Sequence, residues 1–144
     1  MTRMIFVNLP VTDLQRSLAF YQAVGGTPDP RFRDESAAAV GFTDAIHIML
    51  LTHERFATFT DRKIVDAHSH AQMALCLSED SREAVDARVE AAVAAGGLAD
   101  PNPVQDHGFM YGRSYADPDG HIWEPMWMDV AAALAAGQQQ PEPA

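Results

Sequence analysis

One succession of elements occurs twice in this chain, and it limits the fold more than any single motif does. A period-two apolar run, an acidic cap, an amphipathic helix and a Gly-Gly stop extend from Ile5 to Gly26, and the same order returns from Met73 to Gly97. Each copy is followed by weaker strand patterns and then one strong strand, Ala45 to Thr52 in the first half and Ile122 to Met128 in the second. Each half therefore predicts a βαβββ module, and the fold class is α+β, built from two such modules in tandem.

The repeat also assigns faces. In the first strand Ile5, Val7, Leu9 and Val11 share one side and Phe6, Asn8 and Pro10 the other. In the second copy Met73, Leu75 and Leu77 oppose Gln72, Ala74 and Cys76. Thr12 with Gln15 predicts a capping box on the first helix, with Asp13 as the alternative cap, and Asp80 with Glu83 predicts the cap of the second. Leu14, Leu18 and Tyr21, with Phe20 and Val24, give the first helix an apolar side; Val85, Val89, Ala92 and Val93 give one to the second.

Between these landmarks Arg31–Arg33 and Ala37–Phe42 predict two short strands, and Phe109–Tyr115 another. His53 to Ala71 is polar and reads as a linker, with Phe56 and Phe59 at helical spacing. The expected organisation is one domain over residues 1–137: module one at 4–53, linker at 54–71, module two at 72–129, a short Ala-rich helix at 130–137, then a disordered tail at 138–144.

Twenty acidic against ten basic residues give a formal charge of −10, which repels phosphate backbones and anionic lipid, so neither nucleic acid nor membrane is an expected partner. No apolar run reaches membrane-spanning length, and a cytoplasmic location is expected. The single cysteine, Cys76, excludes an intrachain disulfide and any cysteine-rich zinc site.

Chemistry concentrates near the end of the chain. Asp117-Pro118-Asp119-Gly120 is a tight turn, and in the strand after it Glu124 shares a face with Ile122, Met126 and Met128. A carboxylate among thioethers and aliphatics is costly, so Glu124 must bind a cation, meet a donor, work as an acid/base or lie at a wet mouth. His47 lies on the corresponding face of module one, as a base, a ligand or a hydrogen-bonded rim residue. Tyr111, Arg113 and Tyr115 alternate on one strand face, suited either to an anionic ligand or to a surface ladder. His68, His70 and His121 read as solvated or structural, and Trp123 and Trp127 as core or subunit-contact residues.

Tandem βαβββ modules together with LPVTDLQRSLAFY in the first half and YADPDGHIWE in the second resemble the vicinal oxygen chelate superfamily, which includes glyoxalase I, bleomycin- and fosfomycin-resistance proteins and extradiol dioxygenases. Within it, MIFVNLPV, IHIMLLTHERF and FMYGRSYADPDGHIWEPMWMD resemble a bacterial glyoxalase-like group named as predicted lactoylglutathione lyases. The resemblance implies a curved eight-stranded cup with helices on its convex side, a metal held on the concave face by the first and last strands of each module, and a homodimer. Carried over by position, the four metal-ligand places fall on Phe6, Met49, Gln72 and Glu124. One carboxylate, one amide and two apolar residues favour no catalytic metal. Were nickel, zinc or iron held, Glu124, Gln72 and His47 would hold it.

The expectation is a protein that binds a small organic molecule in an apolar cup, with Asn8, His47, Gln72, Tyr111, Arg113, Tyr115 and Met126 around the ligand and Glu124 available as acid/base. The alternatives are a metal-dependent lyase or isomerase of the glyoxalase I type and an interaction module whose cup is filled by its own side chains.

Overall fold

A computed structural model of the chain describes residues 2–139. Module one runs β1 (Ile5–Val11), α1 (Leu14–Ala23), β2 (Thr27–Arg33), β3 (Ala37–Gly41) and β4 (Ile46–Thr52), with sheet order β1-β4-β3-β2 and β1 parallel to β4. The short helix α2 (His53–Phe56) opens the linker. Module two has β5 (Ala74–Ser78), α3 (Arg82–Ala94), β6 (Leu98–Ala99), β7 (Gln105–Asp106), β8 (Met110–Gly112), β9 (Tyr115–Ala116) and β10 (Ile122–Met128), and α4 (Val130–Gln139) follows.

Ten strand segments occupy eight strand positions. β8 and β9 keep one register along β10, pairing Gly112 with Met126 and Tyr115 with Trp123, and their outer neighbours β7 and β6 form a second interrupted strand. With β5 parallel to β10, the order β5, β10, β8/β9, β6/β7 repeats that of module one. The repeat seen in the sequence is thus a repeat of topology.

Over the middle of the strands the apolar faces turn to the core, while Ile5 and Met73 at their starts are more than half exposed. Leu9, Val11, Ile48 and Leu50 join Leu18, Phe20, Tyr21, Val89, Tyr115 and Trp123 in one core that draws on both modules. Burial of each large apolar side chain there contributes roughly 1.5–3 kcal/mol. Phe20 meets Tyr115 at 5.9 Å between centroids, and Trp123 meets Tyr21 at 5.8 Å and Phe42 at 5.4 Å, so aromatic contacts join the halves.

Of the two caps expected for the first helix the alternative is the one used, and the cap of the second differs from expectation. Asp13 caps α1, accepting from the Arg16 backbone N–H, and Ser81 rather than Asp80 caps α3, accepting from Ala84 N–H. Thr12 is engaged elsewhere, its N–H and hydroxyl both donating to Asp119 at 2.9 and 2.7 Å. α4 runs through Gly137 to Gln139 rather than ending at Gly137, and the expectation for the tail at 140–144 lies outside the described residues.

The two segments that carry the family resemblance meet in one hydrogen-bond network. Asp119 also accepts from the buried Ser17 hydroxyl, the Tyr21 hydroxyl donates to Asp117, and Trp123 Nε1 donates to the Tyr21 oxygen at 3.0 Å. Asp117 further accepts from the backbone N–H groups of Asp119 and His121, and His121 Nε2 donates to the Pro10 carbonyl at 2.8 Å. The turn that opens β10 is therefore clasped to the start of α1 and the end of β1. Gly120 is required in it: φ is +94°, and a Cβ would lie 2.5 Å from the His68 backbone nitrogen of the linker.

Candidate functional site

Glu124 stands on the face of β10 turned away from α3. It is half-buried, directly across from the exposed Cys76 of β5, while Met126 is across from Ser78. Desolvation first, and the Glu124 charge second, hold the Cys76 thiol above its ordinary pKa, so it is a weak nucleophile there. No hydrogen bond to Glu124 forms among the described residues, which leaves its oxygens free toward solvent or a ligand.

The corresponding face of module one carries Phe6, Asn8, His47 and Met49, with Phe6 paired to His47 and Asn8 to Met49. His47 stacks on Phe6 with centroids 4.9 Å apart and planes 15° from parallel, and its Nε2 donates to the Asp44 carbonyl at 3.0 Å. It lines a shallow hollow beside Asp29 and Thr43 at the β2–β3 side of the sheet.

Tyr111, Arg113 and Tyr115 do share a face, and that face is the helix-covered one. Arg113 donates to Asp100 through Nε at 3.1 Å and Nη2 at 2.8 Å, and to Asp86 of α3 through Nη1 at 3.0 Å. The paired carboxylates raise the guanidinium pKa further still. Tyr111 donates to Asp86 at 2.7 Å, and Arg82 lies over its ring. Tyr115 is in the core, and burial pushes its phenol well above the usual range. Tyr111 and Arg113 fasten the strand to α3, Tyr115 packs against Phe20 of α1, and the Arg113 charge is neutralised within the protein.

Two of the predicted ligand residues do come together. Asn8 of β1 and Gln72, just before β5, line a cavity of about 150 Å³ at the junction of the modules, with Leu9, Leu75 and Ile122 as apolar walls and the linker residues Phe56, Ile64 and Val65 as cover. Both amides are exposed to it, and neither hydrogen-bonds elsewhere among the described residues. Glu124 and Met126 do not line this cavity, nor do His47, Tyr111, Arg113 or Tyr115, so the groups expected around one ligand are dispersed over the sheet face, the β2–β3 hollow and the helix-covered side.

The donor set does not suit a glyoxalase-type metal. Phe6 offers no lone pair, Met49 a thioether, Gln72 a neutral amide and Glu124 the one anionic oxygen pair, whereas zinc or nickel sites draw on several imidazole, thiolate or carboxylate ligands. His47 donates through Nε2 to a backbone carbonyl and so keeps only Nδ1 as a ligating atom, one imidazole nitrogen where such sites need several ligands. Among the described residues no group of three or more His, Cys, Asp and Glu side chains is placed to hold an ion.

Sequence reasoning missed the linker and the clasp. Lys63, Ile64 and Val65 line the cavity although the segment reads as a polar connector; the adjacent apolar pair was the available signal. Asp117 and Asp119 are 3% and 7% exposed, although they belong to a turn. Burial raises the Asp117 pKa, against the opposing effects of the His121 charge and the Tyr21 hydrogen bond. Ser17 and Tyr21, one helical turn apart on α1 and both fully buried, are hydroxyls that required buried acceptors.

Residues 3–124 match the profile of the Glyoxalase/Bleomycin resistance protein/Dioxygenase superfamily. No curated protein matches the sequence. Among solved structures, the hypothetical protein SA1046 from S. aureus superposes with a TM-score of 0.73 at 23% identity, covering 88% of this chain and 94% of that one. A glyoxalase/bleomycin resistance protein/dioxygenase family enzyme from Burkholderia phytofirmans PsJN gives 0.71 at 24%, covering 88% and 99%. The bleomycin resistance determinant encoded on the transposon Tn5 gives 0.60 at 18%, covering 89% and 99%. At these identities the likeness is one of fold, mixed α+β with a curled sheet.

Proposed function

Because the chain belongs to the glyoxalase/bleomycin resistance protein/dioxygenase superfamily, we propose that it binds a small organic molecule in the cavity between its modules and does so without the catalytic metal of the glyoxalase I type. The observation that carries this reading is the cavity itself. It is apolar-walled, and it presents the side-chain amides of Asn8 and Gln72, which no protein group engages among the described residues. Shape would come from Leu9, Leu75 and Ile122, and orientation from the two amides.

The protein acts in the cytoplasm as a homodimer. No helix among the described residues is long and apolar enough to cross a membrane. Ile5 and Phe6 on β1 and Met73 beside β5 are more than half exposed, on strands with one unpaired edge, and a second copy would cover them.

The test is a ligand screen by protein-observed NMR on the wild type and on Asn8→Leu and Gln72→Leu. Binding that perturbs Ile64, Leu75 and Ile122 and weakens in both variants is the expected result; hits that ignore both substitutions refute the reading. Elemental analysis of protein purified without chelator tests the second half. Near-stoichiometric nickel, zinc or iron that Glu124→Ala abolishes would return the protein to the metal-dependent lyase class.

A further inference from the structure

The charge around the cavity is opposite to that of the molecule. The chain carries 20 acidic residues and a formal charge of −10, yet among the described residues neither Asp nor Glu lines the cavity. Its one formal charge is that of Lys63, with His70 and His121 as the other titratable groups. Lys63 is exposed and forms no ion pair among the described residues, in contrast to Arg82, Arg88 and Arg113, each held by carboxylates.

The polar groups are free in a consistent way. The amides of Asn8 and Gln72 offer donors, and the Lys63 ammonium offers three more. His121 is fixed by its bond to the Pro10 carbonyl, and His70 Nδ1 contacts Ser69 Oγ at 2.8 Å. The remaining wall is hydrocarbon: Leu9, Phe56, Ile64, Leu75 and Ile122. A dry apolar cavity of about 150 Å³ is large enough for a single benzene-sized ring, and this one has a volume of about 150 Å³. One ring-sized apolar body, one cation and several donors without a facing acid describe a carboxylate carried on a small hydrocarbon.

We infer that the cavity between the modules binds a small apolar monoanion, an aryl or cycloalkyl carboxylate, with its ring against Leu9, Leu75 and Ile122 and its carboxylate toward Lys63 and the Asn8 and Gln72 amides. The inference rests on the cavity being the ligand site and names the class of ligand it takes. Lys63 acts as the counterion and determines specificity; it sits on the linker, so a bound anion also ties the linker across the module junction. A neutral ring of the same shape keeps the hydrocarbon contacts and loses the charge interaction.

Isothermal titration of the full chain with benzoate, benzamide and toluene separates the possibilities. Benzoate is expected to bind about two- to fivefold more tightly than benzamide, the range for one solvent-exposed ion pair. That preference should shrink at high salt. Lys63→Met should abolish the preference for benzoate over benzamide, whereas Leu75→Ala, which removes part of the hydrocarbon wall, should weaken all three probes. Equal binding of benzoate and benzamide, or benzoate binding retained in Lys63→Met, overturns the anion assignment and leaves the cavity reading standing. If none of the three probes binds, the aryl-carboxylate inference falls, and the ligand screen on Asn8→Leu and Gln72→Leu decides the cavity reading separately.

Discussion

The Tyr21 hydroxyl of α1 donates to the Asp117 carboxylate of the turn before β10, and the Trp123 indole donates to the same hydroxyl oxygen. One phenol thus joins the first module to the second, with both partners buried. Tyr21→Phe removes that oxygen at nearly constant volume and leaves Asp117 short of a donor and Trp123 Nε1 short of an acceptor. A loss of about 1–3 kcal/mol is expected from orphaned buried groups of this kind. Urea unfolding measures it, and an unchanged midpoint would show that water replaces the hydroxyl.

Asp117 and the surface carboxylates respond to pH with opposite signs. Burial raises the Asp117 pKa in the folded chain, so between the ordinary value of 3.8 and that raised value the folded state holds more protons than the unfolded one. Its contribution to stability is therefore largest at low pH and declines as pH rises through that window. The stability of wild type relative to Asp117→Asn should fall as pH increases from about 4, the ordinary carboxylate range. A difference independent of pH would contradict the assignment.

Asp106 behaves in the reverse sense. Its hydrogen bonds from Arg82, and then from the Gly108 N–H, lower its pKa to about 2. The stability it brings is complete above its unfolded value of 3.8 and disappears as pH falls through about 2. Asp86 and Asp100, held by Tyr111 and Arg113, shift in the same direction. An acid-unfolding series should show Asp106→Asn flattening the slope between pH 4 and pH 2, the interval set by those values.

Arg113 is a fastener. Arg113→Met removes its hydrogen bonds to Asp86 and Asp100 and should cost roughly 1–2 kcal/mol, since these partners are partly exposed and solvent-screened. Ligand affinity at the Asn8–Gln72 cavity should be unchanged. A variant with wild-type melting behaviour and lost binding would place Arg113 in the site instead.

Gly120→Ala tests the junction between turn and linker. The residue has φ of +94°, and the added methyl would meet the backbone at Ala67 and His68 at 2.5–2.7 Å. About 1–3 kcal/mol of stability should be lost, from the strained φ and the displaced linker together. Because Gly120 and Ala67 both line the cavity, ligand binding should weaken in parallel. Hydrogen exchange of the His68 amide, which donates to Asp66 Oδ1 at 2.9 Å, reports the displacement directly.

The two modules were legible from local pattern alone. Period-two and period-3.6 patterns with Gly-Gly stops are local, so the strand faces of Ile5–Val11 and Ile122–Met128 and both helices were legible without any tertiary information. The face shared by Tyr111, Arg113 and Tyr115 was also legible; which side α3 covers was not, because pleat parity gives alternation and no sign.

Where the free polar groups converge is set by long-range packing. The proximity of Asn8 to Gln72, the seating of Lys63 beside them and the separation of Glu124 from that cavity depend on how two sheets and a linker pack. The same holds for the clasp: Asp117 and Asp119 read as ordinary turn residues, and their burial follows from α1 presenting Ser17 and Tyr21 to them across 96 to 102 residues of sequence. Local pattern fixes which way a side chain leaves its own strand or helix, while its partners are set by long-range packing that no short window of sequence contains.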